Sequence, residues 1–260
     1  MNDGTRLPIS VCIVAGNEAH RISHALKSVA GWASEIVVVL NDDVSDGTDK
    51  IAVSFGAKVF REPWKGFIGQ KNSVAGKCNQ PWLLNLDADE AVSPELQQEI
   101  AAVVSRSVAP CAAYEFPRCS YFCGRWIRHG DWYPDRVQRL WQRGMACWAG
   151  DEPHARLEVE GSLGRMESDL FHFSNESIDQ LLNKISQFST MFAHQCRLQK
   201  RRAGWTDLAF RPFWKFFRAY VLRLGFLDGW PGYLIAWANA FGTVVRYTKV
   251  YEADLTPPLK

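Results

Sequence analysis

Apolar positions follow two rhythms along the first hundred residues. Ile9 to Val14 and Ile36 to Leu40 are nearly continuous apolar runs rich in β-branched residues, the pattern of strands buried on both faces. Between them Ile22, Leu26 and Val29 recur at helical spacing. A polar loop follows the second run, and a helix is predicted to open near Asp46-Gly47-Thr48 and stop at Gly56, before a short third strand from Lys58 to Phe60. Another helix, opening near Gly69 to Asn72, leads to a strand over Trp82 to Leu86. Ser93-Pro94-Glu95 then combines a capping hydroxyl, a first-turn proline and a carboxylate at the positive end of the helix dipole. Leu96, Ile100 and Val103 supply that helix's apolar face.

Repeated strand–helix–strand units predict an α/β fold with a mainly parallel sheet and flanking helices. Ligands in such sheets bind beyond the carboxyl ends of the strands. The polar clusters around Asn17, Asn41 and Asp87 all follow strands, so they are expected along one edge. Ala112 to Leu170 reads as less regular and loop-rich, suited to an acceptor side. From Ile178 onward the pattern is helical again. The expected organisation is a catalytic domain over residues 1–175 and a helical, aromatic and basic C-terminal extension over 176–260.

In that extension, Arg211 to Leu224 places Phe213, Phe216, Phe217 and Tyr220 among Arg211, Lys215, Arg218 and Arg223 at spacings that fit a helix. Pro231 can open a second helix with Leu234, Trp237, Phe241 and Val245. Neither stretch reaches the roughly 20 apolar residues that cross a bilayer. A basic, aromatic amphipathic helix can instead lie among lipid headgroups; the competing reading is that both helices pack on protein.

Composition narrows the classes. Of 260 residues, 47% are hydrophobic and 22% charged, which supports a sizeable core and argues against disorder. A net charge of +2 gives no case for a nucleic-acid binder. Seven cysteines are scattered without a matching zinc pattern, as in a protein with reduced thiols. Met1 to Pro8 is polar and lacks the character of a signal peptide, so a cytoplasmic location is expected. Gly4-Thr5-Arg6-Leu7-Pro8 looks like a nucleotidyltransferase glycine loop, but it precedes the first strand instead of following it.

The main chemical clue is Asp87-x-Asp89 at the end of an apolar strand. Departure of a nucleotide diphosphate from a sugar builds charge on the leaving oxygen, and a divalent ion with hard oxygen ligands, Mg²⁺ or Mn²⁺, stabilises it. Alone the motif is weak. Its context, Trp82-Leu83-Leu84-Asn85-Leu86-Asp87-Ala88-Asp89-Glu90 after Gly69-Gln70-Lys71-Asn72 and Ser10 to Glu18, resembles family-two glycosyltransferases of the GT-A (Rossmann-like) type. The likeness is greatest to bacterial lipopolysaccharide-core β-glucosyltransferases. Gly150-Asp151-Glu152-Pro153-His154 resembles the acceptor-side motif of that family.

The resemblance implies a nucleotide site formed by Asn17, Glu18, Asn41, Asp42, Lys71 and Asp87, with Asp89 as the direct metal ligand. The loop Asn41-Asp42-Asp43-Val44-Ser45-Asp46 is about one residue longer than usual in the family, which leaves open which side chain meets the base. His172 is a further candidate metal ligand, with a core histidine as the alternative. An inverting transfer needs a carboxylate to deprotonate the acceptor hydroxyl. Asp151 and Glu152 are the candidates, with Asp151 favoured. His154 is given a supporting role. Trp132, Tyr133 and Trp148 are either sugar-stacking or core aromatics, and Arg136 and Arg139 either orient an anion or are solvated.

The expected activity is transfer of a sugar, glucose from UDP-glucose, onto a lipid-linked saccharide such as lipopolysaccharide core. The expected cofactor is a divalent metal, Mg²⁺ or Mn²⁺. The expected partners are a nucleotide-sugar donor, a saccharide acceptor and the inner face of the cytoplasmic membrane, contacted peripherally through the C-terminal helices. The alternatives are a polyprenyl-phosphate glycosyltransferase and a noncatalytic nucleotide-sugar-binding scaffold.

Overall fold

A computed structural model describes residues 6–152, 154–173 and 177–255. The first elements are β1 (Leu7–Ala15), α1 (Ile22–Val29), β2 (Ala33–Asn41), α2 (Thr48–Ser54), β3 (Lys58–Glu62), α3 (Gly66–Gly76), β4 (Trp82–Asp87), β5 (Glu90–Val92) and α4 (Pro94–Val104). There follow β6 (Ala113–Phe122), β7 (Arg125–Ile127), β8 (Asp135–Gln142), β9 (Ala146–Asp151), β10 (His154–Val159), β11 (Leu163–Arg165) and β12 (Leu170–His172). Three long helices close the described chain: α5 (Ile178–Leu198), α6 (Trp205–Phe217) and α7 (Gly229–Leu255).

The described residues fall into two compact units. One comprises the chain up to Arg118 together with Asp135–His172; the other comprises Cys119–Pro134 and the chain from Phe173 onward. In the first unit the sheet order runs β3-β2-β1-β4-β8-β6-β12-β5. The pairs β3–β2, β2–β1 and β1–β4 are parallel, whereas β8 joins β4 and β6 antiparallel.

The apolar runs explain the layering. Ile9, Val11 and Ile13 of β1 face one way, into a core with Leu26 of α1 and Leu96 and Ile100 of α4. The alternate position Cys12 faces the opposite core, with Val37, Val39 and Val74 of α3. With side chains buried on both faces, β1, β2 and β4 carry no polar alternation. Ser93 caps α4 as its sequence predicts, accepting from Leu96 N at 3.1 Å. Val104, not Val103, completes that helix's buried face.

Residues 113–172 differ from the loop-rich expectation: they supply six strands besides the short β7. Their alternation is hidden because Arg118, Arg136, Gln138 and Arg139 lie within strands yet line a polar cavity, so charge stands where apolar residues mark other strands. The helix expected to begin at Arg211 begins at Trp205 and runs through Pro212. Asp207 accepts from Gly204 N at 2.9 Å and anchors its first turn. The second unit has its own core around Phe122, Ile127, Leu181 and Ile235. Among the described residues no helix is long and apolar enough to cross a membrane.

Near the amino end of β2, the buried Glu35 carboxylate accepts from Ser10 Oγ at 2.5 Å, Lys58 Nζ at 2.7 Å and Asn79 N at 2.8 Å. Burial opposes its ionisation, but the bonds from Lys58, Ser10 and Asn79 outweigh burial and bring the carboxyl down to about 2, from an ordinary 4.5. A folded pKa below the unfolded one stabilises fully above the unfolded value and is lost as pH falls through 4.5 toward 2. Glu35→Gln is therefore expected to flatten the dependence of stability on pH in that window. Urea midpoints measured across it would refute the assignment if parent and variant fell off in parallel.

Candidate active site

The carboxyl ends of β1 and β4 meet at the point where the chain turns from building one side of the sheet to the other, the usual crevice for a ligand. Register pairs Val14 with Asp87, so the end of β4 lies against the end of β1. A cavity of about 940 Å³ opens there. Glu18, Asn41, Lys71, Asp87, Asp89 and His172 all line it, as do Trp148, Arg136 and Arg139. Six cationic side chains lie along its wall against four carboxylates, a balance that suits a polyanionic ligand.

Asp87 is held from two sides. Lys71 Nζ, on α3, donates to Oδ1 at 2.9 Å, and Arg139 Nη2 donates to Oδ2. Burial works against the charged form, but Arg139 and Lys71 outweigh it and keep the Asp87 carboxyl well below the usual carboxylate range. Lys71 shows the opposite balance. Burial, and then the Arg139 charge, pull its ammonium below its ordinary value, with Asp87 opposing. Lys71 also lies 4.5 Å from the centroid of the Trp148 ring, a cation–π contact. Asn72 fixes that ring's backbone, donating to Trp148 O at 2.8 Å and accepting from Trp148 N at 2.9 Å.

Asp89 sits differently. Its Oδ2 lies 3.6 Å from both His172 Nε2 and Arg21 Nη1. Burial raises its carboxyl, and His172, with help from Arg21, more than compensates and holds it below its ordinary value. His172 arrives through the antiparallel β12–β5 ladder, which pairs it with Glu90, the residue next to Asp89. Arg21 also binds Glu18, with Nη2 donating to Oε1 at 2.9 Å.

Several of these partners escaped the sequence reading. Glu90 is fully buried; it accepts from Arg139 at 2.8 Å, Arg118 at 3.2 Å and Asp87 N at 3.0 Å. The Arg118 and Arg139 contacts join distant strands and leave no local signal. Arg21 had one, since Glu18 and Arg21 are spaced i,i+3.

Other candidates lie outside the cavity wall. Asn17 is exposed and braces the neighbouring loop, accepting from Ser45 N at 3.0 Å. Asp42 is exposed, with its backbone N donating to Glu62 O at 3.1 Å. The longer loop is closed by Asp46, which accepts from Ala19 N at 2.9 Å and Thr48 N at 3.0 Å. Asp151 and Glu152 are both exposed at the end of β9. Glu152 Oε1 accepts from Ile68 N at 2.9 Å, in the first turn of α3, where a carboxylate complements the helix dipole. A Cβ at Gly66 would come within 2.6 Å of that oxygen, and Gly66 has φ +81°. Trp132 packs on Phe122 in the second unit, with ring centroids 5.3 Å apart, and Tyr133 is half-buried in that unit. The His154 side chain and Pro153 lie outside the described residues, as do Gly4 and Thr5.

A metal ion can be tested against these donors. Asp87 is occupied by two cations, whereas Asp89 Oδ2 and His172 Nε2 face each other across 3.6 Å on the cavity wall. Among the described residues no group of three protein ligands gathers. Mg²⁺-type ions bind through one or two carboxylates, with water and substrate phosphates completing the shell, so Asp89 fits such an ion, while the imidazole of His172 beside it suits a softer divalent metal better than Mg²⁺.

The mixed, mostly parallel sheet with flanking helices is a GT-A type glycosyltransferase fold. The chain belongs to the family described as Glycosyl transferase family 2, whose model matches residues 10–156. It is 31% identical over 257 residues to an uncharacterized glycosyltransferase of Rickettsia typhi, covering 95% of this chain and 88% of that protein. It is 26% identical over 254 residues to the lipopolysaccharide core biosynthesis glycosyltransferase LpsC of Rhizobium meliloti, covering 95% and 93%. Among solved structures it is similar to the mannosyltransferase PcManGT from Pyrobaculum calidifontis in complex with GDP-Man and Mn²⁺. That match has a TM-score of 0.54 at 11% identity and covers 96% of this chain and 88% of that one.

Proposed function

We propose that this family-2 glycosyltransferase is a metal-dependent, inverting enzyme that moves glucose from UDP-glucose onto a lipid-linked saccharide of the lipopolysaccharide-core kind. The observation that carries the reading is the cavity itself. It sets Asp89 and His172 beside a cation-rich wall at the carboxyl ends of the strands. The Rhizobium relative, named for lipopolysaccharide core biosynthesis, supports the acceptor class.

In this reading Lys71 and Arg139 hold Asp87 ionised and oriented toward the nucleotide, and Glu18 and Asn41 flank the base and ribose. Asp89 and His172 would hold a divalent ion, which would supply charge stabilisation for the departing diphosphate. Arg136 and Arg118 add positive charge along the path of the phosphates. Asp151 is the preferred base, because Glu152 is committed to the first turn of α3. Residues 1–175 then carry the catalytic domain and 176–260 the extension, with Cys119–Pro134 belonging to the extension's unit. The extension exposes Trp205 (81%), Phe213 (66%) and Trp230 (61%) among basic residues, a surface for peripheral contact with lipid headgroups.

Nucleotide release from UDP-glucose and a panel of other nucleotide sugars, with and without Mn²⁺, tests the donor reading. Metal-dependent turnover supports it. If no donor turns over and no nucleotide binds in a metal-dependent way, the reading fails. For the base, Asp151→Asn is expected to lower kcat by about 10²–10⁴-fold with donor KM unchanged. Glu152→Gln is expected to cost roughly 0.5–1 kcal/mol of stability and little activity. The opposite split in steady-state kinetics would move the base to Glu152.

A further inference from the structure

The second unit contains a cavity built from three separated stretches of chain. Its volume is about 230 Å³, and its lining includes Asp131, Lys215, Arg218, Asn239, Thr243 and Arg246. Asn239, Thr243 and Arg246 recur at i, i+4 and i+7, so they share one face of α7. Lys215 belongs to the last turn of α6, and Arg218 opens the turn that follows it.

Charge in this cluster is one-sided. Asp131 Oδ2 accepts from Arg218 Nη2 at 2.7 Å and lies 3.7 Å from Lys215 Nζ, while Oδ1 lies 3.3 Å from Arg223 Nη1. A single carboxylate thus faces Lys215, Arg218 and Arg223, with Arg246 on the same wall. One arginine would suffice to neutralise it.

Two guanidinium donors are also unpaired. The Nε–H groups of Arg218 and Arg246 are buried and have no hydrogen-bond partner among the described residues. A buried donor left unpaired is costly, and a guanidinium fork matches the oxygens of a phosphate. Arg246 is held in place by the Phe192 ring, 4.8 Å from its guanidinium carbon.

We propose that this cavity is a phosphate-binding site, separate from the donor cavity and taking the phosphate group of an anionic lipid or of a small soluble ester. It requires none of the residues assigned to sugar transfer. A phosphate there would meet the guanidinium groups of Arg218 and Arg246 on the cavity wall, with the Asn239 amide as a neutral donor; the Thr243 hydroxyl already donates to Asn239 O at 2.8 Å.

The test uses the full chain. Inorganic phosphate and glycerol 3-phosphate are titrated calorimetrically. Phosphatidylcholine vesicles with and without phosphatidic acid are tested by flotation. Binding to the phosphatidic acid vesicles alone assigns a lipid headgroup; binding to the soluble probes assigns a small ester. In either case Arg246→Gln and the nearly isosteric Asn239→Asp are each expected to weaken binding by about tenfold or more. Asp131→Asn is expected to tighten it, a change of sign that loss of a merely structural contact would not produce. Absence of binding to every probe would overturn the proposal, as would unchanged binding in folded Arg246→Gln and Asn239→Asp. UDP binding measured on the same samples should be unaffected, which keeps this outcome independent of the glycosyltransferase reading.

Discussion

Asp89→Ala is expected to lower sugar transfer by about a thousandfold or more while leaving the fold intact. Asp89 lies 3.6 Å from each of His172 and Arg21, so the substitution removes the carboxylate that faces His172. Asp87 cannot substitute, because Lys71 and Arg139 already hold both of its oxygens. The stability cost should be small, since both contacts to Asp89 are 3.6 Å long and Arg21 keeps its bond to Glu18. Turnover of the preferred donor, together with UDP affinity with and without Mn²⁺, checks this. The variant should bind UDP with an affinity that no longer responds to metal. Retention of more than about a tenth of the parent rate would remove Asp89 from the metal-binding role, because loss of even one transition-state charge contact costs more.

The second large effect concerns stability. Arg139 is 5% exposed and bridges Asp87 and Glu90. Arg139→Met keeps the bulk but leaves a fully buried Glu90, among the described residues, with Arg118 at 3.2 Å and the Asp87 backbone N–H. Removing one member of such a buried ionic cluster costs about 3–5 kcal/mol. Arg139→Lys should recover only part, because a lysine ammonium ends about one bond short of the Arg139 Nη2 that donates to both Asp87 and Glu90. Urea unfolding of both variants measures the difference. A loss below about 1 kcal/mol for Arg139→Met would mean the pair is worth no more than a surface ion pair.

Both variants act on residues that differed in how legible they were. Asp89 was readable because its surroundings are local: an apolar run ends and carboxylates follow it at once. Lys71 was readable only through likeness to a family, since nothing in Gly69-Gln70-Lys71-Asn72 alone points to the end of β4. Arg139 was left open between anion contact and solvation, and it is neither free nor solvated. It sits on β8, which pairs antiparallel with β4, and that register carries it to Asp87. Glu152 was read as a candidate base, and its bond to Ile68 N could not be foreseen because it joins residues 84 apart.

What the sequence alone determined was therefore the material of the first half of the sheet: where each buried run starts, which polar residues follow it, and that carboxylates stand at the end of β4. These are local properties, expressed through periods of two or 3.6 residues and through the end of an apolar run. The tertiary structure decided which charges meet. The β12–β5 ladder brought His172 to Asp89, the β8 strand brought Arg139 to Asp87 and Glu90, and residues of α6 and α7 gathered with Asp131 around the arginine cavity. It also revealed the strands between 113 and 172, whose cavity-facing positions are charged. Pairing across a sheet depends on register between distant segments, and a charged residue's role depends on the partner that register supplies.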